Sequence, residues 1–175
     1  MEKKLPLEEM SISDVYVKSQ YVVTYKIPVY QRNYAWEEEQ VTALIKDVYD
    51  SWQKNPLAPY YIGTLVTYKR NDREYEVIDG QQRLTTIYLI IKALGIKDIK
   101  NKLTYSARST STSTIMRLNE DLELGDEADA GIRNGYGYAK KALEAIVLSD
   151  ERDGFQEYFL QHVKLIHYDV PKDVN

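Results

Sequence analysis

Cysteine is absent from this chain of 175 residues, which excludes disulfide bonds, thiol catalysis and metal sites built on cysteine. Histidine is scarce, and we expect the two that occur, His162 and His167, to be structural residues of a helix and a strand. No run of about 18 apolar residues occurs, so the sequence predicts no membrane span. The first ten residues, MEKKLPLEEM, lack the apolar core of a signal peptide. We therefore expect a cytoplasmic protein with no membrane partner.

An excess of positive charge is also missing. The 23 Lys and Arg residues against 27 Asp and Glu residues give a net charge of −4. A nucleic-acid-binding surface that covers the whole domain is therefore not expected, although a local basic groove remains compatible with this charge. The best local candidate for contact with a DNA backbone is a modest basic patch formed by Lys97, Lys100, Lys102 and Arg108.

Tyrosine, in contrast, is abundant, with 16 residues against two Phe and two Trp. A tyrosine buries an apolar ring and keeps a polar tip. These residues therefore form either a core rimmed with half-buried phenols or a surface for stacking and hydrogen bonding. Hydrophobic residues make up 43% of the chain, enough for a well-packed core.

The hydrophobic pattern predicts strands interleaved with helices in the first half of the chain and mainly helices afterwards, an α+β protein. The predicted strands are 22–29, 60–68, 74–78, 102–105 and 165–170. The predicted helices begin at 36, 82, 115, 136 and 155. Residues 1–20 are expected to contain a short helix or turn, residues 106–114 a loop, and residues 125–131 an acidic loop. We expect a single domain over 1–175.

An unusually polar turn follows the strand predicted at 74–78, in the segment EVIDGQQRLTT. If Asp79 caps the next helix, the amides of residues 80–82 remain unpaired, and unpaired amides at a helix start favour an anion such as phosphate. Gly80 lets the backbone approach a ligand closely, and Arg83 offers a bidentate charged contact. Thr85 offers a hydroxyl. An ordinary Asp-Gly turn with a solvated first helical turn would explain the same residues.

A second polar turn, in the segment IPVYQRNYAW, follows the strand predicted at 22–29 and carries Gln31 and Arg32. The aromatic rings of this turn offer faces on which a base can stack. Alternatively, the aromatic residues cap the core and Arg32 pairs with Glu38. If both strands belong to one sheet, both turns face its C-terminal edge, where ligands usually bind.

Three segments, IPVYQRNYAW, YYIGTLVTY and EVIDGQQRLTTIYLIIKAL, resemble in order and spacing the N-terminal domain of GmrSD-type restriction enzymes. The resemblance is most specific over residues 26–94, and FQEYFLQHVKLIHYDVP near the end resembles the helix and strand that follow in that family. It implies a ParB/sulfiredoxin-like core with a mixed sheet over about residues 20–95. Residues 96–175 would then form a mostly helical extension that ends in a strand.

The resemblance also implies that the domain binds and hydrolyses GTP or another NTP, in a defence system that restricts modified foreign DNA. The domain would regulate an HNH-type nuclease domain or subunit, which we expect to be absent from this chain. The catalytic residues would be Asp79, Gln81, Gln82, Arg83 and Arg32. The nucleotide-binding residues would be Gly80, Thr85, Gln31, Tyr30, Tyr34 and Trp36.

Within this assignment, Asp79 orients the loop or helps to position Mg²⁺, and Gln81 or Gln82 positions the attacking water. Arg32 neutralises charge that develops on the phosphoryl group. The alternative is a ParB-like DNA-reading module without catalysis, in which the same Gln-Arg pairs read base edges or a modified backbone. A pure interaction domain is the third possibility, and it predicts no anion in the Asp79–Arg83 turn.

Overall fold

A six-stranded mixed sheet runs through the computed structural model, which describes residues 7–171. The strands are β1 (Leu7–Ser11), β2 (Thr24–Ile27), β3 (Tyr60–Asn71), β4 (Glu74–Asp79), β5 (Lys102–Tyr105) and β6 (Val163–Asp169). Their spatial order is β1-β6-β3-β4-β2-β5. The predicted α+β class with a mixed sheet and a final strand is confirmed. Because β1, β5 and β6 lie outside residues 20–95, the sheet draws on the whole described chain.

The helices account for the rest of the regular structure. They are α1 (Ile12–Tyr16), α2 (Glu38–Lys54), α3 (Gln81–Ala93), α4 (Ser109–Asn119), α5 (Ala130–Ile146) and α6 (Arg152–His162). A single 3₁₀ turn, Ser149–Glu151, joins α5 to α6. Among residues 7–171, no helix has the length and apolar character needed to cross a membrane.

Two predictions about the start of helices were wrong. Residues 109–114 were expected to be a loop, but they form the first half of α4. Their hydroxyls are hydrogen-bonded, since Thr112 Oγ1 accepts from the Tyr105 amide at 2.9 Å and Thr114 Oγ1 accepts from the Asp129 amide at 2.8 Å. Helix α5 begins at Ala130 rather than at 136, because the Asp129 carboxylate caps it by accepting from the Ile132 amide at 3.0 Å.

The end of α4 and the N-terminal segment also differ from the expectation. The helix predicted to begin at 115 was expected to continue to 124, but α4 ends at Asn119, and Asp121 has a left-handed φ of 57° that does not continue a helix. The N-terminal segment contains the expected short helix, α1, capped by Ser11. It also contains a strand that we did not predict, β1, which pairs antiparallel with β6. Apolar and polar residues do not alternate regularly in its sequence, LEEMS, so the pattern did not predict a strand.

Parallel pairing brings three strand ends to one edge of the sheet. Strand β2 pairs in parallel with β4 on one side and with β5 on the other. These three strands therefore end at the same edge of the sheet, at Ile27, Asp79 and Tyr105. Both strands belong to one sheet, so the expectation that both polar turns lie at its C-terminal edge is confirmed.

Helix α3 is buried nearly all round, as its apolar sequence predicts. Leu84, Ile87 and Leu89 are each at most 1% exposed, and the helix packs between the sheet and α5. Buried tyrosines complete this core. Tyr16 donates from its hydroxyl to the Leu84 carbonyl at 2.8 Å, and Tyr105 shares a 2.6 Å hydrogen bond with Thr85. Six of the 16 tyrosines are buried in this core: Tyr16, Tyr25, Tyr34, Tyr88, Tyr105 and Tyr158.

The turn that follows β2 rests on α5 at two glycines. A Cβ atom at Gly131 would lie 2.2 Å from the Tyr34 carbonyl oxygen, and one at Gly135 would lie 2.6 Å from the Tyr34 ring. Tyr34 is 4% exposed and its hydroxyl hydrogen-bonds to Thr86 Oγ1 at 2.8 Å. The two glycines therefore allow the turn to approach both α5 and α3.

A polar network lies on the same sheet, toward its other end. Thr67 Oγ1 donates to Asp169 Oδ1 at 3.1 Å and lies 2.7 Å from His167 Nε2. A hydroxyl has one proton, and Thr67 gives it to the carboxylate. His167 Nε2 must therefore carry a hydrogen and donate to Thr67, which leaves Nδ1 as an acceptor. Burial lowers the pKa of His167, which favours this neutral form.

We expect Gly131→Ala to displace the Tyr34 turn and to lower the free energy of unfolding by about 1–3 kcal/mol, because a backbone carbonyl cannot move aside as a side chain can. Gly137→Ala is the matched control on the same helix. No atom lies within 4 Å of the added methyl, so the substitution should stabilise the protein by about 0.5–1 kcal/mol. Urea denaturation measures both changes, and equal effects of the two substitutions would contradict the packing described here.

We expect the free energy of unfolding to fall as the pH drops below about 6.5, the ordinary pKa of histidine. The lowered pKa of His167 means that the unfolded chain takes up a proton there before the folded chain does. The contribution of this residue is therefore complete above that pH and is lost below it, at up to about 1.4 kcal/mol per pH unit. Denaturation at several pH values should show a flatter profile for His167→Gln than for wild type, and identical profiles would contradict this role of His167.

Candidate functional site

A cleft of about 210 Å³ lies at the C-terminal edge of the sheet, where the two polar turns meet. Its lining consists of Arg32, Trp36, Asp79, Gly80, Gln81, Gln82 and Arg83. All seven were candidate site residues, and they come from two segments separated by more than 40 positions in the chain. The structure thus brings together the Gln-Arg turn after β2 and the Asp-Gly turn after β4.

The start of α3 differs from the expectation by one residue. We expected Asp79 to cap the helix, but Asp79 is the last residue of β4 and Gly80 is the N-cap, with φ 103° and ψ 11°. No side chain caps α3. The first helical hydrogen bond joins the Leu84 amide to the Gly80 carbonyl at 2.9 Å. The amides of residues 81–83 therefore begin the helix without backbone acceptors.

Glycine is required at the N-cap by both conformation and space. The φ of Gly80 lies in the left-handed region, which side chains disfavour. A Cβ atom there would also lie 2.9 Å from the Thr64 carbonyl oxygen on β3. The chain can therefore turn from β4 into α3 within one residue, which holds the helix start against the sheet.

A second glycine, which we did not assign to the site, makes room for Arg83. Gly63 lies at an irregularity of the β3–β6 pairing, with φ 144°. A Cβ atom at this position would lie 2.9 Å from both Cζ and Nη1 of Arg83. The guanidinium therefore lies directly over the backbone of β3. A glycine inside the predicted strand YYIGTLVTY was the available signal, because such glycines often mark a close approach.

The two arginines of the cleft carry charge that no carboxylate neutralises within residues 7–171. No ion pair there involves Arg32 or Arg83. Glu38, the partner that we considered for Arg32, instead accepts from Lys141 Nζ at 2.8 Å. Asp79 is the one acidic residue in the lining. Two guanidinium groups against one carboxylate make the cleft locally positive in a chain whose net charge is −4.

The glutamines join the two turns. Gln82 is 7% exposed; its Oε1 accepts from the Ala35 amide at 2.9 Å and its Nε2 donates to the Asn33 carbonyl at 3.0 Å. Gln31 Nε2 donates to the Ile78 carbonyl at 2.8 Å. Each glutamine thus reaches from one turn to the backbone of the other segment. Gln81 is partly exposed and has no side-chain hydrogen bond to the described residues, so its amide is available to a ligand.

Four of the expected nucleotide-binding residues, Gln31 among them, do not line the cleft. Thr85 is fully buried, and its hydroxyl donates to the Gln81 carbonyl at 2.9 Å. Tyr34 is buried below the turn, where burial raises the pKa of its phenol to about 12. Tyr30 is 67% exposed and lies outside the lining. Thr85 and Tyr34 therefore support the cleft from beneath, whereas Tyr30 and Trp36 present exposed ring surface.

Arg108, at the start of α4, also contacts the first turn. Its Nη2 donates to the Gln31 carbonyl and to the Val29 carbonyl, the latter at 3.3 Å. Its Nη1 is buried and has no partner among residues 7–171. We had placed Arg108 in a basic patch for DNA. Its position beside the first turn follows from the parallel pairing of β5 with β2, which the sequence does not reveal.

A metal ion can be held here by only one protein carboxylate. Within the described residues, no group of three or more histidine or acidic side chains is arranged to hold a metal. Magnesium in phosphate-transfer sites commonly takes one or two carboxylates and completes its shell with water and substrate phosphates. Asp79 fits that arrangement as a single ligand, and it does not fit a metal site formed by the protein alone.

Comparison with known protein families identifies the family of this chain. No curated protein matches the chain. A family model described as the N-terminal domain of the GmrSD restriction endonuclease matches residues 12–175, which include both polar turns. The chain therefore belongs to the GmrSD N-terminal domain family and is part of a restriction system.

Proposed function

We propose that the cleft binds the phosphates of a nucleoside triphosphate and that the domain hydrolyses it to regulate the nuclease of the restriction system. The observation that carries the proposal is the open start of α3 between two arginines that have no carboxylate partner among the described residues. Helix amides without acceptors favour an anion, and the helix dipole adds to this preference. Guanidinium groups bind phosphate oxygens in a bidentate manner.

The dimensions of the cleft favour the phosphates over the whole nucleotide. Its volume of about 210 Å³ is below the ~300–1,000 Å³ of pockets that enclose a drug-sized ligand. The phosphates would lie on the amides of residues 81–83, with Arg83 on one side and Arg32 on the other. The base would then remain outside, near the exposed ring of Tyr30 or the partly exposed ring of Trp36.

Hydrolysis requires a group that orients water and a group that stabilises charge on the phosphoryl oxygens. Gln81 is the better of the two glutamines for the water, because the Gln82 amide is already bonded to Asn33 and Ala35. Arg32 is exposed on the opposite turn and can neutralise the developing charge. Asp79 would hold Mg²⁺, which neutralises phosphate charge when bound.

We expect Arg83→Ala to weaken NTP binding about tenfold to a hundredfold, the value of a charge-assisted hydrogen bond to phosphate. Arg83→Lys should recover part of the loss, because lysine keeps the charge but not the planar fork. Calorimetric titration with GTP, ATP, CTP and UTP in the presence of Mg²⁺ measures the affinities and identifies the preferred base. Arg152→Ala, which removes the same charge at the start of α6, is the control and should bind as wild type does.

Wild-type affinity of Arg83→Ala for every nucleotide would refute the phosphate assignment. The same variants distinguish nucleotide binding from DNA reading. If wild type binds no nucleotide, while Arg32→Ala and Arg83→Ala both weaken its binding to a DNA duplex in a salt-dependent manner, the cleft contacts DNA instead.

We expect substitutions of Gln81 and Gln82 to have different effects on kcat, KM and stability. Gln81→Ala should lower kcat about a hundredfold with little change in KM, because it removes a group that acts on the attacking water. Gln82→Ala leaves two backbone groups of the turn unpaired, so it should destabilise the domain by about 1–3 kcal/mol and raise KM. Phosphate release and thermal denaturation measure the two effects, and a larger loss of kcat in a fully stable Gln82→Ala protein would reverse the assignment.

A further inference from the structure

A second cleft, of about 220 Å³, lies at the opposite end of the sheet from the Asp79–Arg83 turn. It is bordered by β1, by the segment between α1 and β2, and by the first residues of β2 and β4. The residues that matter for its chemistry are Glu8, Asp14, Tyr21, Tyr25, Tyr75 and His167. None of these residues takes part in the proposed nucleotide site, so the two clefts can be tested independently.

Aromatic rings form much of the wall of this second cleft. The rings of Tyr25 and Tyr75 are stacked, with centroids 6.0 Å apart and an interplanar angle of 27°. The rings of Tyr75 and His167 meet edge to face at 5.8 Å and 73°. Tyr21 adds another ring to the lining. Aromatic faces carry negative electrostatic potential and attract organic cations.

The charges that line the second cleft are negative. Glu8 is exposed on β1, and no ion pair within residues 7–171 involves it. Asp14 accepts from the Ser11 amide through Oδ2 at 3.0 Å, which leaves its other oxygen able to accept. Of the nearby cations, Lys69 pairs with Asp72 at 3.6 Å and Arg73 lies 5.7 Å from the centroid of Tyr21, and neither lines the cleft.

Two polar side chains that are more than nine-tenths buried line the cleft with unused hydrogen-bonding capacity. Tyr25 is 3% exposed, yet its hydroxyl has no hydrogen-bond partner among the described residues. This differs from Tyr16, Tyr34 and Tyr105, whose buried hydroxyls are all bonded. His167 is 7% exposed, and its Nδ1 is an acceptor because Nε2 donates to Thr67. A ligand that donates hydrogen bonds would satisfy both groups.

We propose that this cleft binds a protonated amine or guanidinium group, carried either by a lysine or arginine side chain of a partner protein or by a free polyamine. An anion is disfavoured by the carboxylates of Glu8 and Asp14. The described residues contain no group of three or more side chains arranged for a metal ion. An organic cation matches the acceptors, the aromatic walls and the negative charge together, and one such head group with its alkyl chain fits the volume.

Titration of the isotope-labelled protein, followed by backbone amide shifts in NMR spectra, tests this proposal. The probes are N-acetyl-lysine methylamide, its neutral analogue N-acetyl-norleucine methylamide, spermidine, and the peptide Gly-Lys-Gly. The variants are Tyr25→Phe, which removes only the hydroxyl, and Glu8→Gln, which removes only the charge. Glu9→Gln is the matched control, because Glu9 is adjacent on β1 but bonds to Lys164 and Tyr61, outside the cleft.

We expect saturable shifts around Tyr25, Tyr75 and His167 with the lysine probe but not with the norleucine probe. Tyr25→Phe should weaken binding about threefold to tenfold, as loss of one hydrogen bond does. Glu8→Gln should weaken it about twofold to fivefold, as loss of a partly exposed charge does. Tighter binding of spermidine than of the peptide identifies a free amine as the ligand, and the reverse identifies a protein side chain.

Three results would overturn the proposal. The first is the absence of saturable shifts with every cationic probe. The second is equal binding of the lysine and norleucine probes, which would show that charge is not recognised. The third is an equal effect of Glu8→Gln and Glu9→Gln, which would show that net charge acts and that the cleft does not.

Discussion

Parallel pairing of β2 with β4 is the constraint on which the candidate site depends. The two strands lie side by side with the same direction, so the chain leaves both at one edge of the sheet. Without that pairing, the Gln-Arg turn and the Asp-Gly turn would have no reason to meet. The hydrogen bonds from Gln82 to Asn33 and Ala35 then fix their separation. Because Gln82 holds the two turns together, Arg32 and Arg83 are not needed for that role and form no ion pair among the described residues.

Burial of α3 explains why its first turn can remain open. Most helices in proteins are stabilised by packing rather than by their caps. Leu84 and Ile87, within the first two turns of α3, are at most 1% exposed. Packing against the sheet and α5 thus stabilises the helix even though no side chain caps it. The start of α3 can therefore remain uncapped, at a cost in stability that the core offsets.

Sequence patterns predicted the features that depend on neighbouring residues, namely most helices, most strands and the polar turns. The helices predicted to begin at 36 and 82 and the strands predicted at 60–68 and 74–78 are present as α2, α3, β3 and β4, and the polarity of both turns was recognisable. The position of Arg108 was not, because it depends on which strand pairs with β5. The cap at Gly80 was displaced by one residue from the prediction, since a left-handed glycine and an aspartate cap produce the same sequence signal. Strand β1 exists only because β6, more than 150 positions away, offers it an edge.

Gly63 has a consequence for how this domain can vary. The space that a side chain would fill at position 63 is occupied by the guanidinium of Arg83, from a different element of the fold. The two positions therefore share one volume, and the residue tolerated at either one depends on the other. A side chain at position 63 would require the Arg83 guanidinium to move or to be replaced by a shorter group, and the left-handed φ of Gly63 would still restrict the replacement. Sequence variation at the middle of β3 is thus coupled to the chemistry at the start of α3.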